Sequence, residues 1–383
     1  MDILPTSLFN VSSVVNDSPN GENSYPFDAS TCPKKANLIY GSDELAQLLF
    51  AVATSDVIIV LIVFPVIILF GLFVNFTFLL TICRVREMRT VTNFYLVNLA
   101  VSDLLFITAT GFTYIYPRIV HNLRLPQTQI GCILSFTSVY LSYFTSIGLV
   151  TLVSLERFLA ICYPLKHRVV KSKYRTTMLV VMTWCIAAVL TVIVVPGVGA
   201  NVTTNCIIWP AEYRHKFPSM VSQCVSISAE MYIIGCTVTL ISFIVALVCN
   251  SAFYTMIICR LSHRELTPIE HQDDRNQTQN VRNSVARMLI LNGVVFFFCL
   301  SVTQLFNLNQ IIMYTSNRRI YLIRPEHGWT VAWTGLVMSV LNSAINPVIY
   351  SVSNATYRKA FVRAVTFWTK TNPTEESFSM TLK

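Results

Sequence analysis

Seven long apolar runs, almost bare of charge, constrain this chain more than any other feature. They cover residues 57–83, 90–117, 125–155, 176–211, 231–259, 288–317 and 328–357, and the only acid or base inside them is Asp103. At 1.5 Å per residue, each is long enough to cross a hydrocarbon layer of about 30 Å as a helix. A water-soluble fold could not hide so much apolar surface: of 383 residues, 54% are hydrophobic and only 12% are charged. In lipid the backbone must satisfy its own hydrogen bonds, and runs of this length do so as helices. The sequence therefore predicts an all-α membrane protein, a seven-transmembrane helix bundle over residues 56–352.

The bases set its orientation. Eighteen lysines and arginines fall in the segments on one side of the membrane: Arg84, Arg86 and Arg89, then residues 166–175, 260–287 and 358–383. Nine fall on the other side, two of them in the N-terminal segment. Because basic loops are retained in the cytoplasm, this asymmetry predicts an extracellular N-terminus and a cytoplasmic C-terminus. The net charge of +9 thus reports topology and attraction to anionic membrane lipid, not nucleic acid.

The third run is not uniformly apolar. Ser135, Ser138, Ser142, Ser146, Ser154 and Arg157 recur at helical spacing, and the eleven residues from Ser146 to Arg157 make about three turns, so a polar stripe runs down one face. In lipid such a stripe turns toward other helices or water. The second run carries Asp103, and a carboxylate at that depth is costly enough to mark a functional position. In the seventh, Asn342, Asn346 and Tyr350 share one face, and Pro347 cannot donate to the carbonyl of Ser343. That carbonyl must find another donor.

Outside the runs, residues 1–55 are rich in Asn, Ser, Asp and Pro and read as a disordered extracellular tail with no cleavable signal. Glycosylation triplets begin at Asn10, Asn16 and Asn201, all on the predicted outer side. Cys32, Cys132, Cys206 and Cys224 lie on or near that side, and four cysteines allow three pairings. The other seven of the eleven cysteines read as small buried hydrophobes. Residues 261–281 read as a connector or a helix extension. Tyr357, Phe361, Val365 and Trp368, with bases beside them, predict a short amphipathic helix over 353–369 on the cytoplasmic membrane surface. Residues 370–383 read as a disordered cytoplasmic tail offering hydroxyls to kinases. Neither GxSxG, HExxH nor a phosphate loop occurs, so no enzyme is predicted.

Asn75, Leu99-Ala-Val-Ser-Asp103, Cys132, Glu156-Arg157-Phe158, Trp184, Tyr254 and Asn346-Pro347-Val-Ile-Tyr350 occur in this order on successive runs. The set resembles the signature positions of the rhodopsin-like (class A) G-protein-coupled receptors, over roughly residues 57–365. The resemblance implies a plasma-membrane receptor relaying ligand binding to a heterotrimeric G protein, with arrestin and kinases meeting the C-terminal tail. It implies a disulfide between Cys132 and Cys206, leaving Cys32 and Cys224 as a second pair. It assigns the G-protein switch to Glu156, Arg157, Tyr254, Asn346, Pro347 and Tyr350, with the acid holding the arginine at rest. No cofactor is implied, although Asp103, Ser146, Asn342 and Asn346 match a sodium site of the family, where the ion acts as an allosteric ligand. Three departures bear on activation. Leu300 and Val302 stand where the family has tryptophan and proline, Ala246 stands where the fifth span has proline, and Arg282 replaces an acid that in some members locks the arginine.

Val139 occupies the position where amine receptors carry an aspartate, which disfavours a buried ammonium ligand. A neutral, mostly aromatic binding set remains: Tyr114, Tyr140, Tyr143, Gln304 and Asn307. Among class A receptors the chain is most similar to those for neuropeptides, which implies an extracellular peptide ligand. The alternatives are a chemosensory or other small-molecule receptor, a non-signalling decoy and a transporter. The last is disfavoured by the lack of repeated halves or a second midplane charge.

Overall fold

A computed structural model describes residues 37–40, 58–115, 128–170, 172–208, 212, 220–265 and 273–369. Among the described residues, seven helices are long and apolar enough to span a membrane: Ile59–Arg84, Val91–Ile115, Gln129–Cys162, Lys173–Gly197, Ala229–Leu261, Ser284–Thr315 and Pro325–Ser353. They are called the first to seventh spans below. Helix signals in the sequence explain several starts. Thr90 and Thr128 each accept a backbone N–H at the second and third spans, from Asn93 and Gly131 respectively. Pro325 opens the seventh span, where its missing N–H costs nothing. The fifth span continues as helix to Glu265 and the sixth starts at Asp273, so the expected connector is largely helix extension.

Over half of the most apolar stretch of the third and seventh spans is buried, 56% in each, against 28% in the fourth and fifth. The third and seventh are therefore the inner helices. The central core gathers Leu99 of the second span, Leu149 and Val153 of the third, Phe296 and Leu300 of the sixth and Tyr350 of the seventh. Phe73, Phe76, Val189, Val192 and Val248 face outward, which suits lipid and would be a liability in water. Gly71 sets the closest approach. A methyl group there would lie 2.6 Å from Ile107 Cδ1 and 2.9 Å from the Ala344 Cβ, so the first span packs tightly on the second and seventh.

The prolyl gap in the seventh span is filled as its sequence demands. Asn75 Nδ2 donates to the Ser343 carbonyl at 2.9 Å and to its own Gly71 carbonyl at 3.0 Å. In the sixth span, Ser301 Oγ bonds the Phe298 carbonyl at 2.7 Å, whereas Thr303 Oγ1 reaches across to Ser339 Oγ at 3.3 Å. The surface helix runs Ala355–Thr369. Its buried face is Tyr357, Ala360 and Ala364, with Phe361 at the margin and Arg358, Lys359 and Arg363 exposed. Tyr357 Oη donates to Asn93 Oδ1, and Arg84 Nη1 donates to the Ala364 carbonyl at 3.2 Å. The side chains of Val365 and Trp368 lie outside the described residues.

The outer loop after the fourth span contains a small sheet. Strands β2 (Asn201–Ile208) and β3 (Met220–Val225) form an antiparallel hairpin, and β1 (Asn37–Tyr40) adds to β2 in parallel. A four-residue strand thus lies within the segment read as disordered. Its Leu38, Ile39 and Tyr40 favour extended backbone, and the edge of β2 offers unpaired amide groups.

The disulfide expectation is corrected by the same hairpin. Cys132 is bonded to Cys224, not Cys206, with the Cα atoms 5.7 Å apart. Cys224 pairs with Val202 in the sheet, whereas Cys206 pairs with Met220 at the far end, four residues or about 13 Å along β2. Only the Cys224 end of the hairpin meets the top of the third span, beside Phe136 and Val194. The alternative Cys32–Cys224 pair falls with it. Cys206 is itself disulfide-bonded, and Cys32 lies outside the described residues. Peptide mapping under non-reducing conditions is expected to recover Cys132 linked to Cys224. Cys224→Ser is expected to cost about 2–4 kcal/mol of stability, measured by thermal unfolding in detergent.

Candidate functional site

Polar side chains that sequence reasoning picked out singly are assembled by the bundle into three layers. In the outer half, the neutral set separates into two groups. Gln304 Nε2 donates to Tyr143 Oη at 2.9 Å, and Asn307 Nδ2 donates to Thr239 Oγ1 at 3.1 Å and to Gln304 Oε1 at 3.3 Å. Third, fifth and sixth spans are thereby joined through side-chain amides and a phenol. Tyr140 stands beside this group, its ring 6.5 Å from that of Phe144, and Gln310 Nε2 extends the polar track to Tyr232 Oη at 3.0 Å. Tyr114 belongs elsewhere. It packs against Phe64 and Trp333, with ring centroids 6.1 and 5.8 Å apart, in a cluster built by the first, second and seventh spans. Among the members sequence reasoning missed, Thr239 and Tyr232 lie in a span rich in small polar residues and carry no distinguishing pattern, whereas Gln310 lies six residues after Gln304.

The middle layer is centred on Asp103, which is fully buried. Asn346 Nδ2 donates to its Oδ2 at 2.7 Å, while its Oδ1 has no hydrogen-bond partner. The Oδ1 of Asn342, also buried, has none either. Ser146 Oγ is 3.0 Å from Ser102 Oγ, which also bonds the Ser142 carbonyl at 2.9 Å. Ser102 is thus a member that the sequence stripe did not supply, because it sits on the second span beside the acid. Unpaired carboxylate and amide oxygens, buried in apolar surroundings, are the donor set of a hard cation. The residues present therefore fit a sodium ion, which Asp103 and Asn342 would hold with Ser146 and Asn346.

The inner layer lies at the cytoplasmic end. Ser154, one turn before Arg157, is hydrogen-bonded to Tyr254 Oη of the fifth span at 2.9 Å. One turn higher, Asn250 Nδ2 of the fifth span donates to Thr151 Oγ1 at 2.9 Å. Tyr350 is buried against Phe78 and Tyr357, with ring centroids 5.6 and 6.0 Å apart. Burial pushes the Tyr357 phenol up to about 12, and the positive charge of Arg157 acts the other way. The acid beside the arginine has a partner that sequence reasoning did not name: Glu156 Oε1 lies 2.7 Å from His167 Nε2. His167 is on the short inner-loop helix Pro164–Val170, so this pair fastens that loop to the end of the third span.

Of the glycosylation triplets, Asn201 is described. It is exposed at the start of β2, where its side chain accepts from the Val202 amide at 2.9 Å. Asn10 and Asn16 lie outside the described residues.

Comparison with known proteins places this geometry in a family. Residues 74–350, more than half of the chain, match the family described as "7 transmembrane receptor (rhodopsin family)". The chain is 25% identical over 318 residues to the somatostatin receptor type 2 of Mus musculus, covering 80% of this chain and 77% of that receptor. It is 25% identical over 348 residues to the same receptor of Sus scrofa, covering 88% and 84%. The chain belongs to the rhodopsin family of seven-transmembrane receptors, which are signalling receptors and not enzymes.

Proposed function

We propose that this receptor binds an extracellular peptide and, through Arg157 and the inner loops, catalyses nucleotide exchange on a heterotrimeric G protein at the plasma membrane. The observation that carries the reading is the neutral lattice of Tyr143, Gln304, Asn307 and Thr239. Side-chain amides and phenols offer donors and acceptors in the pattern that a peptide backbone complements, and no acid stands at Val139 to neutralise a buried amine. The similarity to somatostatin receptors supports the same ligand class. The N-terminus lies outside, with glycans at Asn10, Asn16 and Asn201, and the C-terminus lies in the cytoplasm, where residues 370–383 meet kinases and arrestin. The basic flank of the surface helix rests on anionic inner-leaflet lipid.

We further propose that sodium acts as an allosteric ligand at Asp103, Ser146, Asn342 and Asn346. Such an ion would neutralise the buried carboxylate and favour the packing in which these helices lie close together. It would be bound between the second, third and seventh spans.

Two experiments test these readings. In cells expressing equal surface levels of the wild-type chain and Arg157→Ala, a fractionated neuropeptide pool is expected to evoke G-protein activation through the wild type only. A response retained by Arg157→Ala, or none from any fraction, would sink the exchange mechanism or the ligand class respectively. Replacing potassium by sodium at constant ionic strength is expected to raise the thermal midpoint of the detergent-solubilised wild type by several degrees and to leave Asp103→Asn unmoved. An equal rise in both would remove the ion from this site.

A further inference from the structure

Gly293, buried in the middle of the sixth span, has no backbone reason to be glycine. None of the glycines among the described residues has positive φ, and glycine in a helix interior is less favourable than alanine. The reason is space. A methyl group at Gly293 would overlap the Tyr254 phenol, meeting its Oη, with Cζ at 2.6 Å and Cε2 at 2.9 Å. These atoms belong to the rigid ring of a buried tyrosine, not to the free end of a flexible chain.

The same phenol is held by the third span. Its hydroxyl is bonded to Ser154 at 2.9 Å, and Asn250 ties the fifth span to Thr151 one turn above. The fifth span is therefore pinned to the third by two polar bonds. The sixth span reaches this pair only because residue 293 has no side chain. Below it, Ile161, Ile257, Leu261 and Ala286 close the same three helices in an apolar cluster, with Ile290 of the sixth span packed at its margin.

We propose that Gly293 is a positioning residue of the G-protein switch: its missing side chain seats the Tyr254 phenol against Ser154, and this seat keeps the sixth span closed on the third and fifth. The inference rests on the exchange activity proposed above and assigns it a closed-state latch. With arginine at position 282, a lock of opposite charges on the arginine of the third span is not available there, and shape complementarity at Gly293 takes its place. A side chain at 293 wedges the sixth span outward, toward the packing that exposes the Arg157 end of the third span, and so shifts the population without ligand.

The test measures ligand-independent GTPγS binding to a panel of heterotrimeric G proteins, in membranes with equal receptor density. Gly293→Ala is expected to raise the basal rate about threefold or more, as a shift of a two-state population. The double variant Gly293→Ala/Tyr254→Leu, which empties the space the methyl group enters, is expected to return to the level of Tyr254→Leu alone. A merely structural glycine would lower surface expression and leave the basal rate per receptor unchanged. Basal exchange by Gly293→Ala equal to wild type, or a double variant as active as Gly293→Ala, overturns the latch. Should Gly293→Ala fail to reach the surface, recovery in the double variant supports the seat, and loss of both overturns it. A second readout is independent of any G protein: the pulsed-EPR distance between spin labels on the cytoplasmic ends of the third and sixth spans. That distance is expected to lengthen in Gly293→Ala and not in the double variant. If no variant supports exchange, the G-protein reading fails while the distance alone decides the latch.

Discussion

The bundle depends on one hydrogen bond from the side chain of Asn75 to the carbonyl of Ser343. Pro347 leaves that carbonyl without its helical donor, and in hydrocarbon no water is at hand to replace it. Leaving such a group unpaired costs about 1–3 kcal/mol even by protein-based measures, so a neighbour that supplies a donor is strongly favoured. Asn75 can supply it only because Gly71, one turn earlier, lets the first span approach Ala344 closely. The glycine, the asparagine and the proline are therefore one device. It fixes the seventh span in place, and with it Asn342, Asn346 and Tyr350.

Much of this was legible in the sequence. Hydropathy delimits five of the spans to within about four residues, because lipid leaves the backbone no choice but helix; the third helix continues past its charged end to Cys162, and the fourth run overreaches Gly197 into the apolar residues of β2. The freed carbonyl of Ser343 follows from Pro347 alone, and the search for a partner follows from the membrane. The grouping of Asp103 with Ser146 and Asn346 came from the family resemblance, and the depth of the acid supports it. What the sequence withheld depends on side chains that meet across helices. Tyr114 and Tyr143 look equivalent as aromatic residues in the outer halves of their spans, yet one packs on Phe64 and Trp333 and the other bonds to Gln304. His167 carries no mark of its bond to Glu156, since the two lie on different helices.

The outer loop shows a different limit. Cys206 matched the resemblance because it lies in the right loop, but a loop holding two cysteines needs its register before a pairing can be chosen. The hairpin supplies that register by placing Cys224 opposite Val202, next to the third span. Short strands in a loop give a weak sequence signal, since six or eight residues with mixed Thr, Asn and Ser alternate poorly. The parallel addition of Asn37–Tyr40 was weaker still: four residues whose only argument for being extended is the edge they meet.

The proposed switch rests on two contacts of the sixth span, one above and one below Val302, which stands where the family has proline. Above, Gln304 bonds to Tyr143; below, Gly293 meets Tyr254; about 16 Å of helix separates residues 293 and 304 at the standard rise. Between them, Phe296, Phe297 and Leu300 pack in the core without directional bonds. The span is thus held by polar bonds in its outer half, that of Thr303 to Ser339 included, and by fit at Gly293. A peptide amide that takes over the bonds of Gln304 or Asn307 exchanges one hydrogen bond for another, which costs little net free energy. The lower contact has no such substitute. If the glycine leaves the phenol, that close packing is lost without replacement, which in the proposed switch would separate a closed from an open arrangement. A small bias applied at the outer lattice is then enough to change which of them is populated.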